Sequence, residues 1–313
     1  MTATFQLQRL SSEEKIWRTG QLVGRTPLHE ITRVFQKPGV RILAKLEWQQ
    51  IGGSVKSRPA FNIIKQAIRL GSLGKGQELL DATSGNTGIA YASIGAALGI
   101  PVTLCLPENA SSERKSILEA LGVNIVYTSR FDGTDGAQLK AKELFREYPD
   151  RFFYADQYAN KHNWQAHIET TAPEIWQQTC GKVTHFVAGL GTTGTFTGTG
   201  RGLKNFNNSI ELVALQPDNP MHGLEGWKHL ETAIVPKIYD PALADRLFEI
   251  DSWESYDMIR RIAREEGLLV SPSAAANLIG AIRVAEEIEH GVIVTTFADN
   301  ADKYSEVMKQ IFN

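Results

Sequence analysis

Short apolar runs alternate with helix-length stretches along most of this chain, and that alternation limits its possible folds more than any other feature. RILAKLE, ELLDATS, PVTLCLP and VNIVYT read as strands, as do THFVAGLG, ELVALQP and GVIVTTFAD further on. Between them, SRPAFNIIKQAIRLGSL, NTGIAYASIGAALG, SSERKSILEALG and YDMIRRIAREEG read as helices. Pro59 falls in a first helical turn, where its missing N–H is not needed. Strands separated by helices of this length predict parallel α/β architecture. The pattern weakens at FREYPDRFFYADQYANKHNW, which reads as a crossing between two α/β lobes with a cleft between them.

Composition narrows the function classes. The 313 residues suffice for one large or two medium domains with buried cores. A formal net charge of -2 offers no basic excess for nucleic acid or for a membrane surface. Apolar stretches are interrupted well before the length of a membrane span, and the N-terminal MTATFQLQRLSSEEK lacks a signal-peptide pattern. The two cysteines, Cys105 and Cys180, belong to no CxxC, so a disulfide scaffold or zinc site is not expected and a cytoplasmic setting is. His222 and His229 lack a third ligand at convincing spacing, so no metal site is expected.

Four Gly- or Ser-rich stretches fall where strands give way to helices, the positions at which open parallel sheets bind ligands. In GGSVKSRP, Lys56 stands at a helix start, where the macrodipole lowers an amine pKa and favours the neutral form able to make a Schiff base. The bland reading is a surface lysine beside a turn. In TSGNTG, Thr83, Ser84, Asn86 and Thr87 crowd a glycine turn with more donors than one N-cap requires, which suits a carboxylate or phosphate. GLGTTGTFTGTG opens as a literal GxGxxG. A dinucleotide reading would place a ribose-binding acid about 20 residues on, near Glu211. Glu211 begins its strand, however, and Thr192, Thr193, Thr195 and Thr197 suit a terminal phosphate monoester, so the pattern leaves both readings open. In SPSAAAN, Ser273 caps a helix or meets a ligand at what reads as the end of a buried strand.

Together the four stretches resemble the fold-type II pyridoxal-phosphate enzymes, the two-lobed tryptophan synthase β-like fold. The nearest branch is cysteine synthase, and GTTGT most resembles its B-type members. The resemblance runs from GRTPL (24–28) to DKY (302–304) and takes in PENASSERKSILEALG and HGLEGWKHLETAIVPKIYDP. It implies a smaller mobile lobe over 42–158 and a larger lobe over 159–313, with residues 1–41 packed against the larger. It further implies that Lys56 binds pyridoxal 5'-phosphate and moves the proton, and that Asn86 bonds the cofactor's ring oxygen. Thr83, Ser84, Gly85, Asn86 and Thr87, with Gln157, would grip the substrate carboxylate. Gly191, Thr192, Thr193, Gly194 and Thr195 would cradle the phosphate, and Ser273 would face the pyridine nitrogen. The implied reaction replaces the β-substituent of an activated L-serine, through an α-aminoacrylate, with a sulfur donor to make L-cysteine in a homodimer.

Several residues depart from the family pattern: Gln50 and Ile51 before the lysine, Ser57 after it, Ser271, Pro272 and Ala275 around Ser273, the NKHN at 160–163, and Ala298, Asp299 and Asn300 near the C-terminus. They remove no proposed catalytic group but leave open the leaving group and the nucleophile. Cystathionine formation and serine or threonine dehydration are related alternatives. A nicotinamide-dependent oxidoreductase and a non-catalytic cofactor-binding scaffold are alternatives of other classes.

Overall fold

The computed structural model describes residues 10–83 and 85–312. Ser11 accepts the Glu14 N–H to start α1 (Ser12–Gly20), and β1 (Leu28–Ile31) and β2 (Val40–Leu46) follow. After Lys56 come α2 (Ser57–Arg69), β3 (Glu78–Ala82), α3 (Asn86–Leu98), β4 (Val102–Pro107), α4 (Ser112–Ala120), β5 (Asn124–Thr128), α5 (Gly133–Glu147) and β6 (Phe152–Tyr154). The chain continues through α6 (Lys161–Glu169), α7 (Thr171–Gln178), β7 (His185–Gly189), α8 (Gly194–Phe206), β8 (Glu211–Pro217) and β9 (Arg246–Ile250). It closes with α9 (Ser252–Glu265), α10 (Pro272–Glu287), β10 (Gly291–Phe297) and α11 (Ser305–Phe312).

Two sheets result, as the alternation predicts. The smaller has strand order β5-β4-β3-β6, with every pair parallel. The larger has order β1-β2-β10-β7-β8-β9, parallel except for the β1–β2 edge. Helices cover both faces of a parallel sheet, so its inner strands carry unbroken apolar runs. All of β4 is buried accordingly.

The structure divides the chain differently from the sequence expectation at two points. A boundary at residue 42 would pass through β2, which pairs along its length with β10 in the larger sheet. Ile42, Ala44 and Leu46 fill the core beneath α9 and α10, and Leu43 fills the one beneath α7 and α8, so β2 is buried on both faces by the larger lobe. Helix α1 packs against α3 of the smaller lobe, and the segment from Arg25 onward joins the larger one. A third difference is local. The run before Ser273 forms a single bridge, Val270 to Asn300, not a strand. Ser271 already caps α10 there, with Pro272 at the start of the helix.

One packing feature reaches the cleft. Gly194, Gly198 and Gly202 recur every fourth residue and so share one face of α8. A Cβ at Gly198 would fall onto the Trp164 carbonyl, and one at Gly202 onto the Ala172 Cβ, so α6 and α7 approach α8 more closely than side chains allow. Gly198 and Gly202 thus serve helix packing, Gly200 packs on Leu212, and Gly189 and Gly191 line the cleft.

Candidate active site

The turns after β3 and β7, the start of α10 and the segment carrying Lys56 meet between the lobes. Two adjoining cavities open there, and Lys56, Asn86, Gly191 and Thr192 line both.

One cavity is built on the turn from β7 into α8. Thr193 caps α8 in the left-handed region, at φ 69°, a conformation that costs of order 1–3 kcal/mol away from glycine. Its hydroxyl is buried without a hydrogen-bond partner among the described residues. Thr192 Oγ1 accepts from Asn163 Nδ2 at 3.1 Å. A Cβ at Gly191 would fall onto the Gly226 carbonyl oxygen, and one at Gly194 onto the Asn163 amide. Strained backbone, an orphan hydroxyl and free N–H groups at a helix start together fit a phosphate with several oxygens to satisfy. Thr195 Oγ1 lies 3.4 Å from His167 Nε2, and His167 Nδ1 lies 2.8 Å from Thr171 Oγ1. Burial pushes the His167 pKa down to about 3, with the Arg58 charge adding to it, so a neutral ring supports the loop. Ser273 lines the same cavity, 3.2 Å from the Ser271 hydroxyl. Beside it, Asn277 accepts the Gly189 N–H at 2.9 Å and donates to the Thr296 carbonyl at 2.7 Å.

The other cavity is built on the turn from β3 into α3. Thr83 Oγ1 accepts the N–H groups of Gly85 and Gly88 at 3.0 and 3.3 Å and so shapes the turn. Thr87 donates to Gln157 Oε1 at 2.7 Å, while Gln157 Nε2 donates to the Ala82 carbonyl at 2.7 Å. Gln157 is locked, with one amide hydrogen left over. Ser84 lies outside the described residues. The loop, Asn86 and Gln157 therefore line one cavity.

Lys56 sits between the cavities at the N-cap of α2. Burial is the main influence lowering its amine pKa, and the nearby Lys303 charge adds to it, while Asp299 and Glu47 oppose. The helix-start argument gives the same direction, but the main cause here is burial. Underneath, Arg58 forks onto Glu47 at 2.7 and 2.8 Å and onto Glu174 at 2.7 and 2.8 Å, and Lys45 pairs with Glu174 at 2.8 Å. The cluster balances two positive against two negative charges and pins the first turn of α2, hence Lys56, to β2 and α7.

Sequence reasoning missed the opposite wall. Asn86 Nδ2 donates to Asp299 at 2.7 Å, Lys303 Nζ donates to Asn86 Oδ1 at 2.9 Å, and the Tyr304 hydroxyl donates to Asp299 at 2.7 Å. Arg114 of α4 lies against the Tyr304 ring at 4.8 Å and pairs with Glu225. Lys228 pairs with Asp135 of α5 at 2.9 Å. The signal available was the HGLEGWKH stretch, whose Glu225, Gly226, Trp227 and Lys228 line the cleft; a loop stretch carries no periodicity to say which way it faces. Cys105 is a buried strand residue, as expected, with its thiol pushed up by burial to about 12. No cluster of metal ligands occurs among the described residues, and no helix among them is long and apolar enough to cross a membrane.

A buried lysine between two cavities, one of them with a strained turn and an orphan hydroxyl that fit a phosphate, suits an enzyme built around an aldehyde cofactor with a phosphate tail. The family model described as pyridoxal-phosphate dependent enzyme matches residues 20–299, and the chain belongs to that family. It is 45% identical over 291 residues to cysteine synthase of Aquifex aeolicus, covering 91% of this chain and 89% of the relative. To cysteine synthase B of Pseudomonas aeruginosa it is 39% identical over 284 residues, covering 90% and 93%. Among solved structures, a cysteine synthase from Entamoeba histolytica superposes with a TM-score of 0.88 at 30% identity, covering 100% of this chain and 94% of that one.

Proposed function

We propose that this chain makes L-cysteine by replacing the acetate of O-acetyl-L-serine with sulfide, using pyridoxal 5'-phosphate held at Lys56. The observation that carries the reading is the position of Lys56, at the junction of both cavities, between the 83–87 loop and the 189–195 cradle. Gly191, Thr192, Thr193, Gly194 and Thr195 hold the phosphate, Asn86 offers its second amide hydrogen to the ring oxygen, and Ser273 meets the ring nitrogen. Thr83, Ser84, Gly85, Asn86, Thr87 and Gln157 hold the substrate carboxylate. The cofactor, when bound, supplies a sink for the electron pair released at the substrate α-carbon. Lys56, whose charged form burial disfavours, takes the α-proton. Ser273 cannot hold the ring nitrogen protonated as an aspartate would, which favours loss of the β-substituent over transamination. At the β-carbon a C–O bond to acetate breaks and a C–S bond forms.

Charge in the cleft wall supports the acetyl donor over the phosphoryl one. Arg114 is matched by Glu225 and Lys228 by Asp135, so both cations facing the substrate cavity already carry carboxylate partners. Both pairs join the lobes, and capture of the carboxylate by the smaller lobe is read as the step that closes the cleft and excludes water. A cytoplasmic homodimer completes the reading. Two free cysteines suit a reducing compartment, and the exposed Trp17, Leu22 and Leu70 of the α1–α2 region offer apolar surface to a second copy.

Cofactor-loaded protein should release cysteine from O-acetylserine and sulfide, and light scattering should show a dimer. Lys56→Ala should stay folded, lose the visible absorbance of the lysine-linked cofactor and lose turnover. Cysteine formation at the native rate by Lys56→Ala would refute the assignment, and faster turnover of O-phosphoserine would reverse the choice of donor.

A further inference from the structure

Asp81 is the penultimate residue of β3, two before Thr83, and it is fully buried. Its Oδ1 accepts the Ala82 N–H at 2.8 Å and its Oδ2 accepts the Gln157 N–H at 3.2 Å. Those two residues are also joined to each other by the Gln157 Nε2 bond to the Ala82 carbonyl. One carboxylate thus fixes the strand end that launches the 83–87 loop and the backbone of the residue that receives Thr87. No salt bridge reaches it among the described residues, and the groups facing it are acids. Tyr91 comes from α3, Tyr154 from β6, Asp156 and Tyr158 from the segment after β6, and Cys105 from β4. The nearest cations act at one remove, Lys142 and Lys237 on Asp156, and Lys140 with Glu143 on Cys105.

We propose that Asp81 is a positioning residue for the carboxylate loop, and that filling this loop with a substrate carboxylate is coupled to uptake of a proton by Asp81. The inference rests on the assignment of residues 83–87 and Gln157 as the carboxylate site. Two anions behind and in front of one short turn repel each other in a poorly solvated site, and protonation of the buried one removes that repulsion. Burial already raises the Asp81 pKa to about 7, against the two backbone hydrogen bonds, so the proton is available at neutral pH. A second carboxylate raises the pKa further. Carboxylate affinity therefore falls as pH rises through neutrality, up to about tenfold per pH unit between the free and liganded pKa values.

The probe is propanoate, a three-carbon carboxylate with no group of its own titrating above pH 6. Calorimetric titration of the cofactor-loaded enzyme, in two buffers of different ionisation enthalpy, counts protons taken up per ligand bound. The native enzyme should take up a fraction of a proton at pH 7.5 and bind propanoate roughly three- to tenfold more weakly at pH 8.5 than at pH 6.5. Asp81→Asn should bind with no proton uptake and a flat pH dependence. Unchanged uptake and slope in Asp81→Asn would overturn the inference. Should that variant fail to fold, Tyr91→Phe gives an independent reading. Removing the hydroxyl that faces Asp81 raises the carboxyl pKa, so the midpoint of the pH curve should move up, and an unmoved midpoint counts against Asp81. Thr87→Ala and Gln157→Ala should weaken propanoate at every pH. If they do not, the loop assignment itself has failed and the inference falls with it. If they do while Asp81→Asn retains the native proton uptake, only the role of Asp81 is lost.

Discussion

Asn86 Nδ2 donates to Asp299 Oδ2 at 2.7 Å, tying the first residue of α3 to the segment that follows β10. With Lys303 on its oxygen, the Asn86 amide has one orientation and one hydrogen left for the cleft. Asp299→Ala should free that amide and leave Lys303 without its nearest counter-charge. Hydrogen bonds to charged groups contribute about 1.5–3 kcal/mol, so cofactor affinity should fall roughly ten- to a hundredfold. Titration of the apoenzyme with pyridoxal phosphate, followed by visible absorbance, measures it. Native affinity in the variant would show that Asp299 does not orient Asn86.

Gly198→Ala tests the packing role of the α8 glycines apart from phosphate binding. The added methyl would meet the Trp164 carbonyl, so α6 must move away from α8. Overpacking of this kind costs about 1–3 kcal/mol, and thermal unfolding should shift down by several degrees. Gly202→Ala, against the Ala172 methyl, should act in the same direction. An unchanged melting temperature in both would mean that α6 and α7 do not need this close approach.

Acid stability should depend on the cluster beneath Lys56. Burial works against ionisation of Glu174, yet the Arg58 fork and Lys45 hold its pKa down to about 2, below the ordinary carboxylate value of 4.5. A lowered folded-state pKa stabilises the fold above the unfolded value, and that stability is lost as pH falls through the interval from about 4.5 to about 2. Arg58→Met removes the fork and strands two carboxylates, a change of about 3–5 kcal/mol at neutral pH. The acid limb of the stability curve, followed by circular dichroism, should then flatten. A steep limb retained in Arg58→Met would place the acid sensitivity elsewhere.

The two-lobed parallel architecture was legible because strand burial on both faces writes continuous apolar runs, as in PVTLCLP and ELVALQP. What the sequence left unread was short or partly exposed. β9 alternates half-buried and exposed positions before a single buried Ile250, and β6 is three residues long. The lobe boundary was misplaced because β2 is apolar enough for either core, and only its pairing with β10 chooses between them. In the cleft, Lys56 and the two Gly-rich loops stood out because backbone approach to an anion demands glycine and small hydroxyls in sequence. Asp299, Lys303, Arg114 and Glu225 act by converging from distant segments, which no local pattern records.

Lys228 and Asp135 join the lobes at the mouth of the substrate cavity. Lys228 Nζ lies 2.9 Å from Asp135 Oδ1 and 5.2 Å from the centre of the Tyr158 ring, while Asp135 Oδ2 accepts the Ile234 N–H at 2.9 Å. Such a partly exposed pair contributes on the order of 1 kcal/mol, so Asp135→Asn should leave the melting temperature within a few degrees. Its effect should appear in catalysis instead. If the pair helps hold the lobes together over bound substrate, the variant should raise KM for O-acetylserine several-fold and change kcat little. Added salt should reproduce part of the rise in the native enzyme and none in the variant. A variant with native KM at low and high salt would show that this contact has no part in closing the cleft.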